Sequence, residues 1–194
     1  MTQTFAHAVW IAGLIAWFAI RWPHQRRSRR IAVVSDGRSL GDRIVLVAAG
    51  VGLALIPVIY MATGFPAAAD YTFRPWMGWI GTALLVLCLV MFHVSHRQLG
   101  KNWSVTLEIR ERHQLVTDGL YRYVRHPMYS SFWLWAIAQA FLIPNFAAGF
   151  AGLVGVGLLY FYRVGREEEL MRRTFGADYD KYAARTGRVI PRVF

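Results

Sequence analysis

Five long apolar runs set the terms for this chain. They occupy 5–22, 43–62, 76–95, 131–144 and 146–162, and charged residues stand almost entirely between them. A helix needs about 20 mainly apolar residues to cross a bilayer. Four runs approach that length, and the polar flank of the fourth run could extend it. In lipid every backbone N–H and C=O must be satisfied within the segment, so runs of this kind fold as helices. The expectation is an all-α integral membrane protein of about five transmembrane helices, one domain over 1–194. Composition agrees: 17% of residues are charged and 56% hydrophobic, against about a quarter charged in a soluble domain. The first run lacks a basic start and a small-residue cleavage site, and its arginines follow it, so it reads as a retained span rather than a signal peptide. Only Pro144 and Asn145 separate the last two runs, which implies a tight antiparallel hairpin. Gly149, Gly152 and Gly157 in the last run read as close helix-packing positions. Cys88 lies mid-span in LVLCLVM, with nothing beside it to activate a thiolate, and reads as packing.

The formal net charge of +11 follows the membrane, which argues against nucleic acid as its partner. In a five-span arrangement all of the 22 Lys and Arg residues except Arg74 fall on one side. The positive-inside rule then puts the N-terminus outside, and the 23–42 loop, the 96–130 loop and the C-terminal tail in the cytoplasm. Such a basic face also attracts anionic headgroups of membrane lipids.

Two polar stretches on that side fit neither a span nor an ordinary loop. The first is 113–131, HQLVTDGLYRYVRHPMYSS. Asp118-Gly119 is a strong turn dipeptide. Pro127 suits the first turn of a helix and biases His126 away from one, so the next span should begin close to 126–129, its free amides a natural carboxylate-binding site. Taken singly, Tyr121, Tyr123 and Tyr129 read as interfacial aromatics, Arg122 and Arg125 as headgroup anchors, and either His as a structural residue. The second stretch is 163–169, RVGREEE. If the last span continues as helix, Arg163 and Glu167 share a face at i,i+4, and ionisable groups at a span's end that face the bundle are candidate functional groups. Glu168 and Glu169 then point elsewhere, towards solvent. The 175–182 segment is expected to form an amphipathic helix, with 186–191 returning to the membrane surface.

Together, HQLVTDGLYRYVRHPMY, the hydrophobic hairpin and REEELMRRTFGADYDKYAARTGRVIP resemble the isoprenylcysteine carboxyl methyltransferase family and its relatives, the phospholipid N-methyltransferases. The shared pattern runs H-x-L-V-x-x-G-x-Y-x-x-x-R-H-P-x-Y, then E-E, then F-G-x-x-Y-x-x-Y and a late Pro. It covers about half the chain, from Leu99 onward. The resemblance implies an S-adenosyl-L-methionine (SAM)-dependent membrane methyltransferase with a cytoplasmic cofactor pocket formed by the 96–130 loop and the tail. It also implies that His113, Gln114, Leu115 and Val116 line that pocket, that Tyr121, His126, Pro127, Met128 and Tyr129 hold the rest of the cofactor, that Glu167 contacts it, and that Arg163 orients a substrate carboxylate. Arg163 and Glu167 are then the catalytic pair. The chain departs from the pattern at Leu120, where many relatives have Pro, and at Ser131, where many have Gly. Both positions bear on pocket shape and helix packing.

These residue types suit the reaction. Methyl transfer is an in-line displacement that depends on alignment. A carboxylate acceptor is already ionised at neutral pH, and a bidentate Arg can clamp it. A carboxylate beside the sulfonium adds negative potential, and aromatic rings favour a cation. The lipophilic part of the acceptor, a lipid or lipid-modified substrate, would enter from the bilayer. An amine acceptor such as phosphatidylethanolamine would need a base, for which Glu167 or His126 could serve; a thiol is a third acceptor within the same scaffold. From another class, a membrane reductase using a nicotinamide cofactor remains an alternative. A metal site is not expected: His93 and His96 are one isolated pair, too few for the histidine boxes of a di-iron enzyme.

Overall fold

The computed structural model describes residues 1–28, 33–36, 39–100, 108–110 and 114–193. His113 lies outside these residues. The elements are α1 (Gln3–Ser28), a short strand β1 (Val33–Asp36), α2 (Leu40–Gly50), α3 (Ile56–Thr63), α4 (Pro75–Leu99), a strand β2 (Glu108–Arg110), α5 (Pro127–Leu142), α6 (Phe146–Phe175) and α7 (Ala177–Ala183). The two strands pair antiparallel, the one departure from an all-helical chain among the described residues.

Among the described residues four helical stretches are long and apolar enough to cross a membrane: Gln3–Arg26, Leu40–Thr63, Pro75–Leu99 and Phe146–Phe175. Helix α5 is the exception. Its 16 residues reach about 24 Å at 1.5 Å per residue, short of the roughly 30 Å hydrocarbon core. The helix starts at Pro127, within the expected 126–129 and four residues ahead of the apolar run 131–144, and stops at Leu142. Pro127, with its fixed φ, opens it, and Ile143, just before Pro144, is extended.

The second span bends for a local reason. Helices α2 and α3 join through a π-turn, Val51–Leu55, that ends two residues before Pro57. Proline lacks an N–H and its ring displaces the carbonyl four residues back, and a π-turn absorbs that misfit. The Gln139 amide donates to Gly52 O at 3.0 Å and to Ala148 O at 2.8 Å, tying the turn to α6. There the backbones nearly touch. A Cβ on Gly52 would overlap Ala151 O, and one on Gly155 would lie 2.9 Å from Ala48 O. Gly155 makes this close approach, whereas Gly157, expected to do so, has room for a side chain.

Helix α5 packs between α4 and α6, with α1 against both α4 and α5 and α2 against α6. The larger core holds Trp10, Leu85, Cys88, Trp135 and Leu142, which confirms Cys88 as a packing residue. At one end Asn145 caps α6 through Ala148 N at 2.8 Å and donates to Asp70 and to Pro66 O. Tyr60 donates to the same Asp70 oxygen at 2.7 Å. Those two donors hold the Asp70 carboxyl below its ordinary pKa, Asn145 contributing most. At the other end converge the C-termini of α1, α4 and α6 and the N-termini of α2 and α5, as the ring contact of His24 with His96 and the side-chain contacts of α2, α5 and α6 described below require. Large apolar side chains such as Ile15, Val47, Trp79, Val154 and Phe161 point outward along the shaft, as a lipid-facing surface requires.

Candidate active site

Helix α6 is 30 residues long, about 45 Å, so it outruns the bilayer core and carries its last turns past the other helices. Arg163 and Glu167 sit on this extension. One helical turn apart, they pair as expected, Nη2 to Oε1 at 3.1 Å. Beneath them Tyr129, Leu159, Tyr160 and Val164 form a second apolar cluster, which fixes the depth of both groups. The Tyr129 hydroxyl, from the first turn of α5, donates to Glu167 Oε1 at 2.7 Å. His126, the N-cap of α5, places Nδ1 at 3.5 Å from Glu167 Oε2 and Nε2 at 3.5 Å from Glu168 Oε1. Those distances make electrostatic contacts rather than good hydrogen bonds.

Glu168 overturns the sequence reading. It is buried, 1% exposed, and not solvated. Arg125 Nε approaches Oε1 at 3.0 Å, and Arg188 reaches both oxygens, Nε at 3.1 Å and Nη2 at 2.9 Å. The physical reason is the returning tail. Residues 186–189 fold over the start of α5, where the Arg125 and His126 amides donate to Gly187 O and Arg188 O and Ser130 donates to Val189 O at 2.6 Å. That brings a second arginine onto a face of α6 that would otherwise be open. Arg125 also donates to the carbonyls of Ala183 and Thr186, so it is a buried tie between tail and loop and not a headgroup anchor. The Glu168 carboxylate holds the Arg188 guanidinium above its ordinary pKa.

The tail is held further by α7, which packs on the protein rather than leaving it. Tyr179 and Tyr182 are buried, and the Tyr182 hydroxyl donates to Tyr121 O at 2.7 Å. Burial pushes the Tyr179 phenol up to about 12 and the Tyr182 phenol higher still. The return expected onto the membrane surface is instead a return onto the 121–130 stretch.

The third contributor is α2, which the sequence reading did not enlist. Ser39 and Asp42 form a capping box, Asp42 N accepted by the Ser39 hydroxyl and Ser39 N donating to Asp42 Oδ2 at 2.9 Å. The same carboxylate takes Arg166 Nη1 at 3.0 Å and lies 3.8 Å from Arg163 Nε. The pattern S-x-x-D before an apolar run was a legible cap signal; nothing in it announced a partner on α6.

The expected cofactor residues divide accordingly. Tyr121, His126 and Tyr129 come together around Glu167. Tyr121 lies in a 3₁₀ turn, Gly119–Arg122, that Gln98 anchors by accepting from Leu120 N at 3.0 Å. Burial first, then Tyr182 and Glu167, raise its phenol well above the usual value. Pro127 opens α5 and Met128 follows it, half-buried. Leu115 and Val116 are half-buried and Gln114 exposed in the irregular approach to this turn. Among the described residues no group of three His, Cys, Asp or Glu side chains is disposed to hold a metal ion.

The chain resembles known proteins over the part that builds this site. The model of the isoprenylcysteine carboxyl methyltransferase (ICMT) family matches residues 79–173. Protein-S-isoprenylcysteine O-methyltransferase B of Arabidopsis thaliana is 29% identical over 118 residues, 60% of each chain. The protein-S-isoprenylcysteine O-methyltransferase of Schizosaccharomyces pombe is 33% identical over 57% of this chain and 48% of its own. A solved structure of the eukaryotic intramembrane Ras methyltransferase ICMT superposes with a TM-score of 0.56 at 27% identity, over 76% of this chain and 52% of that one. The chain thus spans less than two thirds of each of these three relatives.

Proposed function

We infer that this chain, a member of the isoprenylcysteine carboxyl methyltransferase family by its family-model match, its curated relatives and its structural neighbour alike, transfers a methyl group from SAM to the carboxylate of a prenylcysteine-type acceptor at the membrane surface. The observation that carries this reading is the setting of Glu167. Its side chain keeps 21% exposure, against 2% for Glu168 and 1% for Asp42. Of the three carboxylates around Arg163 and His126, it is the one a solute can reach, and it stands among Tyr129, His126 and the buried Arg163.

That donor set fits SAM. Glu167 can accept from its amino or hydroxyl groups and give negative potential to a cation, and Tyr121 and Tyr129 supply aromatic faces for the cation or the adenine. His126, Met128 and the 114–116 segment complete the cofactor side, together with His113. When bound, SAM supplies an electrophilic methyl group on sulfonium. Arg163, 6% exposed at its side chain, clamps the acceptor carboxylate, and a charge-assisted contact is stronger away from bulk water. The carboxylate needs no proton removed, so the residues align it rather than act as a base. The apolar tail of the acceptor stays in lipid throughout. The cluster faces the cytoplasm by the distribution of basic residues.

Incubating the purified protein with methyl-labelled SAM and, separately, a small prenylcysteine, phosphatidylethanolamine and a simple thiol tests the reading. Base-labile label in the prenylcysteine is expected. Label in the lipid or the thiol instead overturns the acceptor, and no SAM binding at all overturns the donor. Arg163→Ala should raise the acceptor KM by at least about tenfold with SAM affinity kept, and Glu167→Ala should weaken SAM binding itself.

A further inference from the structure

The family match begins at residue 79, yet the arginine at the centre of the site is held from outside that region. Asp42, on the first turn of α2, is 1% exposed. Its Oδ2 is fully engaged, accepting from Ser39 N, the Ser39 hydroxyl at 2.7 Å and Arg166 Nη1. Its Oδ1 is buried with no hydrogen-bond partner and has Arg163 Nε as its ion-pair neighbour at 3.8 Å. A helix cap alone needs one carboxylate oxygen and no burial of the second. A buried carboxylate oxygen left without a hydrogen bond is costly, and opposite charge at this distance is what offsets that cost here.

Arg163 therefore stands between two carboxylates on different helices, Glu167 on one side and Asp42 on the other. Glu167, one turn away on the same helix, could by itself draw the guanidinium into a closed two-bond pair. A counter-charge on α2, 3.8 Å from Nε, pulls against that pairing. Arg166 balances the remaining Asp42 charge and is itself stacked on Tyr162, so α2 and α6 are bound as one unit at this end.

We propose that Asp42 is a positioning residue for the acceptor: its buried carboxylate sets the orientation of Arg163, so α2 is part of the reaction site. The proposal rests on the methyl-transfer reading for its consequence in turnover, but the orientation of Arg163 can be read without turnover. The experiment compares Asp42→Asn, which keeps shape and removes charge, with Ser39→Ala, which removes the cap hydroxyl and keeps the charge. The Nε–H resonance of Arg163, assigned by its loss in Arg163→Lys, should shift or broaden in Asp42→Asn and stay in place in Ser39→Ala. Asp42→Asn should lower acceptor kcat/KM by roughly 10- to 100-fold, the scale of a small misplacement of a catalytic group, while SAM affinity changes less than about threefold. The loss should vanish in the Arg163→Lys background, because two residues acting through one contact are not additive. An unmoved resonance, or additive losses, overturns the proposal; Asp42→Asn and Ser39→Ala behaving alike reduces Asp42 to a cap and also overturns it. If the wild-type protein methylates no acceptor, the functional reading fails, and the resonance result still decides the role of Asp42.

Discussion

Glu168 accepts two arginines from different parts of the chain on a side chain that solvent barely reaches. Removing one member of a buried ion network costs more than the network contributes as a whole, because the partner is left charged without compensation. Arg125, 7% exposed at its side chain, would be that partner. Glu168→Gln is expected to destabilise the protein by about 3–5 kcal/mol, seen as a lowered unfolding midpoint in detergent and earlier proteolysis of the 184–193 tail. Glu169→Gln, one residue along at an exposed ion pair with Arg173, should change stability by less than about 1 kcal/mol. In sequence the two glutamates are indistinguishable members of one acidic run. The i,i+4 rule found Arg163 with Glu167 because their spacing is local; it was silent on Glu168, whose partners lie 43 and 20 positions away.

At the scale of elements, the fit of α2 to α6 decides whether the site is assembled. The two helices meet through Gly52, Gly152 and Gly155, and a side chain at Gly155 would press on the backbone of Ala48 and Ala49. Backbone cannot swing aside as a side chain can. Gly155→Leu should separate the helices and cost about 1–3 kcal/mol, with acceptor turnover falling further than SAM binding because Asp42 moves away from Arg163. Gly157→Ala, in open contact with Trp133 at 3.6 Å, should be near neutral. Thermal unfolding and KM for each substrate read the difference. The sequence pointed to Gly149, Gly152 and Gly157 on α6, but that Gly155 is the one pressed against Ala48 and Ala49 of α2 depends on how the two helices pack. The start of α5 was legible, because Pro127 marks it ahead of the apolar run from 131; the tail docked on that first turn was not.

For the molecule as a whole, both polar stretches and the α2 cap gather at one end of the bundle, and a five-span reading of the sequence assigns 21 of the 22 basic residues to the side that carries those stretches. A reporter that fluoresces only in the cytoplasm, fused after Phe194, should be bright, and one placed in the 63–75 connection dark or disruptive. The reverse pattern would put the site on the outer side, away from cytosolic SAM. The family resemblance reached from Leu99 onward and the matched family model spans 79–173, while the likeness to the solved structure covers 76% of the chain.

Helical class, approximate span limits, the Pro144 hairpin and the pairing of Arg163 with Glu167 were determined by sequence, because each depends on hydropathy or on spacing within a few residues. The burial of Glu168, the tail folded over α5 and the reach of Asp42 to Arg163 were decided only by tertiary structure. Each joins residues whose separation along the chain carries no periodic signal, and each depends on how far α6 extends beyond its neighbours and on how closely α2 can approach it.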